Sequence, residues 1–137
     1  MFRRSRQQLG DPVDGVILSA GCTFPKATDE VELLIPSVAS VRKSESGGVI
    51  AVISPTTSFR IADATDRQSQ FSDAFDAIIS KVDAHGIDAA FLTRNDGDLW
   101  VSVSLASASG QAGIVFTPAM VAALAMRGGY IDVDALA

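Results

Sequence analysis

The chain has very little of the side-chain chemistry that most hydrolytic and metal sites require. Among its 137 residues there is one histidine, His85, and one cysteine, Cys22. Such sites bring several His, Cys, Asp or Glu side chains to one point, so one chain cannot form a His/Cys dyad, triad or zinc cluster. We therefore expect a protein that is not an enzyme, with no catalytic residue, no metal and no cofactor.

Disulfides and membrane spans are also missing. A lone cysteine cannot form an internal disulfide, which favours a reducing compartment, and Cys22 lies in an apolar alternating run where a small buried side chain fits. No apolar stretch approaches the roughly 20 residues of a membrane helix, and the basic start has no apolar segment of a signal peptide behind it. We expect a cytoplasmic protein with no membrane contact. Residues 1–12 are predicted to be a basic flexible tail and residues 13–137 a single domain.

Charge is distributed unevenly along the chain. Three of the eleven basic residues lie within the first six positions, and all sixteen acidic residues follow Gly10. The rest of the chain therefore has a formal charge of −8, compared with −5 for the whole. A negative domain repels nucleic-acid phosphates and attracts cations. This balance argues against nucleic-acid binding and predicts a basic protein partner.

Hydrophobic periodicity and turn residues predict an α+β fold in the order β-α-β-β-α-β-β-β-α-β. We expect a largely antiparallel sheet with about three helices packed on one face. Helices are predicted over 28–35, 65–85 and 117–125, the first and last capped by Thr28 and Thr117, with Gly86 ending the central one. Residues 42–48 are predicted to form a mobile loop. Strands are predicted over 16–24, 49–53, 57–62, 89–93, 99–105, 114–116 and 130–134, with a hairpin at Asp96-Gly97.

The candidate partner-binding residues are acidic positions on the central helix and in the following loop. On the helix, the spacing of three aspartates and a serine places them on one stripe, away from the apolar face. Their mutual repulsion could be offset by a positive partner, although an ordinary solvated helix face shows the same pattern. The full set is Asp73, Asp76, Ser80, Asp83, Asp96 and Asp98.

Other chemical motifs are weak. Asp96-Gly97-Asp98 and Asp132-Val133-Asp134 lack the longer pattern of a calcium loop. Turn chemistry explains the first, and strand alternation with outward acids explains the second. His85 is interpreted as a helix-end residue beside Gly86 rather than a catalytic base. Trp100 is predicted to pack under a helix or loop rather than to line a ligand pocket.

Between Val16 and Asp134, the first strand and the amphipathic central helix are accompanied by three blocks of sequence: residues 28–36 leading to Arg42-Lys43, residues 58–61, and residues 116–125 leading to 130–134. In these features the chain resembles a small bacterial family known as domain of unknown function 4279. The chain differs at Ser44, where the family would have a glycine, and at Phe59, where it would have a tryptophan. The resemblance implies no reaction, cofactor or catalytic residue.

The leading functional hypothesis is an acidic bacterial immunity protein (antitoxin) that neutralises a basic toxin such as a nuclease. Small size, a negative domain and the missing catalytic set support it. One alternative is a small-ligand-binding or regulatory domain that uses the sheet face around Trp100 and the loop at residues 43–48. Another is a carboxylate-based hydrolase. The oligomeric state is left open.

Overall fold

The structure, a computed structural model, describes residues 15–60, 64–106 and 114–136. The predicted tail at 1–12 lies outside these residues. The strands are β1 (Gly15–Phe24), β2 (Ser40–Lys43), β3 (Val49–Arg60), β4 (Asp98–Ala106) and β5 (Gly129–Leu136). The helices are α1 (Asp29–Leu34), α2 (Ala64–Ala84), α3 (Ala89–Asn95) and α4 (Pro118–Met126), with a 3₁₀ turn at Ile35–Ser37.

The five strands form one mixed sheet in the order β2-β3-β1-β4-β5. The pairs β2–β3, β3–β1 and β1–β4 are antiparallel, whereas β5 runs parallel to β4. The parallel pair follows from α4, because a helical crossover returns the chain in the direction of the strand that preceded it. The expected α+β fold is confirmed. Three of the four strand pairs are antiparallel, so the predicted largely antiparallel sheet is roughly matched by a mixed one, and the described residues form four helices where about three were expected.

The hydrophobic core lies on one face of this sheet. In β1 the buried side chains alternate, and the matching positions of β3 and β4 are also buried. The same core contains the apolar stripe of α2, which occupies the spacing predicted from the sequence. The helices therefore cover one face, as expected. The core side chains from these elements are Val16, Leu18, Ala20, Cys22, Phe24, Val49, Ala51, Ile53, Leu99, Val101, Val103, Phe71, Phe75, Ile78 and Val82.

The predicted strand at 89–93 is instead the helix α3. Asp88 caps it by accepting a hydrogen bond from the Phe91 amide at 2.8 Å. Asp96 ends it in the left-handed conformation, with φ of 52°, and the Gly97 amide bonds to the Leu92 carbonyl at 2.8 Å. Asp96-Gly97 is therefore a helix stop and not the hairpin that the sequence predicts.

Predictions for two other strand regions and one loop also need correction. The predicted strands at 49–53 and 57–62 are one strand, β3, whose register against β1 shifts near Ser54, so irregular pairing replaces a break. Residues 114–116 have no regular secondary structure, and Gln68 accepts from the Val115 amide at 2.7 Å and donates to its carbonyl at 3.0 Å. The predicted loop at 42–48 begins too early, because Arg42 and Lys43 belong to β2.

The remaining turn signals are confirmed. Thr28 and Thr117 cap α1 and α4 by accepting bonds from the Val31 and Met120 amides, each at 3.2 Å. Gly86 has a positive φ of 72° just after α2. The predicted capping side chain of Thr65 lies outside the described residues.

Candidate functional site

The face of the sheet opposite the described helices carries aromatic, hydroxyl and acidic side chains. Because alternate side chains of a strand point to opposite faces, the residues between the buried core positions lie on this face. On the three inner strands these side chains are mostly half-buried, and on β5 they are exposed. We call this surface the open face. It consists of Ile17, Ser19, Gly21, Thr23, Ile50, Val52, Asp98, Trp100, Ser102, Ser104, Tyr130, Asp132 and Asp134.

Trp100 occupies the middle of the open face and is fixed there by a glycine. A Cβ atom on Gly21 would lie 2.6 Å from the indole Cζ2, so only glycine leaves room for the ring at this position. The indole Nε1 donates a hydrogen bond to Thr23 Oγ1 at 3.1 Å. Tyr130 is the register partner of Trp100 on β5 and is 50% exposed. The prediction that a helix or loop covers Trp100 is not supported, since the described helices lie on the other face.

Three carboxylates share the open face with these aromatic rings. Asp98 begins β4, and Asp132 and Asp134 are the next two positions after Tyr130 on this face of β5. All three are exposed, and none forms an ion pair within the described part of the chain. Alternate residues of a strand are about 7 Å apart, so the two β5 carboxylates reinforce one another. The open face is therefore aromatic at its centre and negative along β5.

The predicted acidic stripe on α2 is exposed but divided. Asp83 accepts two hydrogen bonds from the Arg127 guanidinium, at 2.7 and 2.8 Å. These bonds hold the pKa of the Asp83 carboxyl below its usual range. Asp73 and Asp76 have no such partner among the described residues. The stripe thus offers two uncompensated charges instead of three.

The two predicted loop residues have different surroundings. Asp96 is the left-handed residue that ends α3, whereas Asp98 belongs to the open face. The residues that sequence reasoning missed are Tyr130, Asp132 and Asp134. Their alternation with Ile131 and Val133 signals one polar strand face, but only the strand order shows that this face adjoins Trp100.

A cleft of about 530 Å³ separates α2 from α4. It is open to solvent and mostly apolar, and it includes two of the predicted stripe residues, Asp76 and Ser80. The other side chains that line it are Ser72, Phe75, Ile79, Thr117, Ala119, Met120 and Ala123.

A polar network joins the start of α1 to the end of α3. The buried Asn95 amide donates to Glu30 Oε1 at 3.1 Å and to the Phe91 carbonyl at 2.9 Å, and its oxygen accepts a bond from the Thr28 hydroxyl. Arg94 donates two bonds to Glu30, at 3.0 and 2.9 Å, and these bonds lower the pKa of that carboxyl. Every polar atom of the Asn95 side chain has a partner, so this buried amide holds the two helices together.

The lone cysteine and histidine have structural surroundings. Burial, aided by the charge of Asp98, raises the pKa of the Cys22 thiol to about 12, so the nucleophilic thiolate is disfavoured. The His85 ring nitrogens lie 2.7 Å from the Lys81 carbonyl and 3.0 Å from the Ser37 carbonyl, which ties the end of α2 to the 3₁₀ turn. No cluster of three or more His, Cys, Asp or Glu side chains suited to a metal ion occurs in the described ranges. Within those ranges, no helix combines the length and apolar character needed to cross a membrane.

Comparisons with known proteins add no relative to this description. The chain matches no protein-family model, no curated protein and no solved structure. The resemblance to domain of unknown function 4279 stays a prediction.

Proposed function

We propose that this chain is a non-catalytic binding domain that captures a basic protein on its open face, as an immunity protein captures a toxin such as a nuclease. The observation that carries the proposal is the position of Asp98, Asp132 and Asp134, which are exposed, have no ion-pair partner among the described residues and share the open face with Trp100 and Tyr130. A cytoplasmic location would suit this role, since an antitoxin acts where its toxin does.

The two kinds of side chain on this face have complementary effects on binding. Tryptophan and tyrosine bury large areas at little entropic cost and are enriched among residues that dominate binding energy. Aspartates at the periphery attract a cationic partner and raise the association rate. A sheet with one uncovered face also presents these groups on a rigid support, which limits the ordering cost of association.

The test measures affinity for a basic toxin domain encoded beside the gene for this chain. We expect the triple variant Asp98→Asn/Asp132→Asn/Asp134→Asn to weaken binding at least about tenfold, mainly through slower association. Binding by the unchanged chain should weaken steeply as salt rises. Co-expression should protect cells from the toxin, and the triple variant should protect less.

The matched control is the double variant Asp73→Asn/Asp76→Asn, which removes exposed charge from α2. We expect this variant to bind within about twofold of the unchanged chain. A larger loss in the α2 variant than in the triple variant would move the site to the helix and overturn the assignment to the open face. Unchanged binding in both would show that neither acidic surface recognises the toxin.

A second candidate function, small-ligand binding, is favoured by the cleft between α2 and α4. Its volume is in the range of ligand pockets, and Asp76 and Ser80 supply polar groups at an apolar wall. Compounds that bind there should raise the melting temperature of the chain, and Ala123→Phe, which fills the cleft, should abolish the rise. Ligands that stabilise this variant equally would exclude the cleft.

A further inference from the structure

Two exposed apolar side chains belong to β5 itself. Tyr130 lies on the open face and is 50% exposed, and Val133 lies on the opposite face and is 49% exposed. Isolated exposed apolar residues are ordinary, so these two indicate a contact surface only together with the backbone edge beside them.

The outer edge of β5 is open in the part of the chain that the structure describes. β5 is bonded to β4 through eight residue pairs, and no described strand lies on its other side. Such an edge presents unpaired N–H and C=O groups that a further strand can bond. At about 3.3 Å per residue it offers roughly 26 Å of backbone.

The two sides of β5 specify different side chains for an added strand. On the open face, Asp132 and Asp134 would lie beside every second residue of that strand. On the opposite face of the sheet, which the helices cover, Val133 is 49% exposed and would contact the alternate residues of the added strand. Carboxylates select lysine or arginine on the first side, and the exposed valine selects apolar residues on the second.

A second copy of the chain is a poor occupant of this edge. Pairing β5 with itself about a two-fold axis keeps the open faces of both copies on one side of the joined sheet. The aspartates of one copy would then face the acidic strand of the other, and like charges across a strand pair are destabilising. An edge of this charge favours a cationic segment from a different protein.

We infer that β5 binds an extended segment of the partner in which basic and apolar residues alternate, adding a sixth strand to the sheet. The inference rests on the proposed function, since it specifies how the basic protein is held. Backbone hydrogen bonds would provide affinity, and the alternation would provide specificity.

The experiment uses a capped peptide as long as β5 in which lysine and valine alternate, at concentrations where it does not self-associate. Its reference is a peptide of the same composition with the lysines and valines in separate blocks. Trp100, the single tryptophan of the chain, lies one strand from the edge and reports binding by fluorescence. We expect the alternating peptide to bind at least about tenfold more tightly than the block peptide.

Charge exchange tests the side-chain contacts. Asp132→Lys/Asp134→Lys should lose about tenfold in affinity for the lysine–valine peptide and gain affinity for a glutamate–valine peptide. Asp73→Lys/Asp76→Lys changes the net charge equally on α2 and should alter affinity by no more than about twofold. Equal losses in the two variants, or equal binding of the two lysine peptides, would overturn strand pairing.

Proline substitution tests the backbone contacts. Successive amides of a strand point to opposite edges, so only one of Val133→Pro and Asp134→Pro removes an outward amide and spares the ladder to β4. The variant that keeps the melting temperature should lose binding to the alternating peptide, with Asp134→Asn as the charge control. Retained binding in that variant would overturn the inference.

The two proposals can fail separately. If both lysine peptides bind equally, and Asp132→Lys/Asp134→Lys weakens both, the open face still captures basic chains and only strand addition is excluded. If neither peptide binds, strand addition is excluded, and the toxin measurement decides the proposed function independently.

Discussion

The two edges of the sheet are built in opposite ways. β2 has four residues, and two of them are basic. Lys43 Nζ forms an ion pair with Glu32 Oε1 of α1 at 3.5 Å. β5 has eight residues and no cation, and it exposes two aspartates, a tyrosine and a valine. Short length and basic side chains are common protections against unwanted strand pairing. β2 thus resembles a protected edge, whereas the charge of β5 discourages self-pairing and leaves it open to basic chains.

The two edges are joined by one row of residues across the open face. The register aligns Ser40, Val52, Gly21, Trp100 and Tyr130, one from each strand. Gly21 is the central member of this row. Any change there should disturb both edges together, whereas changes nearer one edge should affect that edge alone.

The largest effect is expected from Gly21→Ala. The added Cβ would lie 2.6 Å from the Ala51 carbonyl oxygen, which belongs to the backbone of β3 and cannot rotate away. We expect the free energy of unfolding to fall by about 3 kcal/mol, with a shift in Trp100 emission as the indole is displaced. Urea titration measures the first quantity. Ser19→Ala on the same strand face is the control, and equal stability of the two variants would contradict the close packing.

Asn95→Ala should have the next largest effect on stability, and it should affect β2 more than β5. It removes a buried amide that holds Thr28 and Glu30 at the start of α1, the helix that precedes β2. We expect the variant to be less stable by about 2 kcal/mol, because buried polar groups lose their partners. Thr93→Ala, at an exposed position of the same helix, should change stability little.

Hydrogen exchange then shows where the Asn95→Ala variant opens. The amides of β2 should lose more protection than those of β5, since α1 leads through the 3₁₀ turn into β2. Equal losses of protection in β2 and β5 would show that the sheet opens as one unit and that the two edges do not differ in this respect.

Removing charge from each edge compares them directly. Asp132→Thr/Asp134→Thr should self-associate about tenfold more strongly than Arg42→Thr/Lys43→Thr, because β5 is the longer strand and loses its mutual repulsion. Sedimentation velocity over a range of concentrations measures this difference. Stronger association by the β2 variant would show that its cations, and not its short length, protect that edge.

Sequence patterns predicted the parts of this fold that local chemistry determines. The alternation of β1, the apolar stripe of α2 and the caps Thr28 and Thr117 each depend on neighbouring residues, and all are confirmed. The α3 segment was predicted wrongly as a strand because its short apolar run fits either period. The sequence signal that distinguishes the two is Asp88, whose carboxylate caps the helix.

The open face could not be predicted because it depends on strand order. Trp100 and Tyr130 are far apart in sequence, and only the parallel pairing of β4 with β5 makes them neighbours. The division of the α2 stripe has the same origin, since Asp83 meets Arg127 from the turn before β5. Periodicity identified exposed acids correctly, but it could not show which of them have counterions.

The smallest effect, a dependence on pH, follows from two exposed ion pairs between helices. Hydrogen bonds from Arg94, and then from Asn95, lower the pKa of Glu30 where α1 meets α3, and bonds from Arg127 lower the pKa of Asp83 where α2 meets the end of α4. A carboxyl whose pKa is lower when folded stabilises the protein above its unfolded pKa, near about 4, and that stabilisation is lost as pH falls through the folded pKa. The melting temperature should therefore decline from about pH 5 to about pH 3, and salt should reduce the decline because both pairs are exposed. Glu30→Gln should reduce this pH dependence more than Asp83→Asn, because the Glu30 carboxylate accepts a bond from the Asn95 amide as well as from Arg94, and both bonds lower its pKa. A greater reduction in Asp83→Asn would show that the Asp83–Arg127 pair is the stronger one and reverse the order that the geometry predicts.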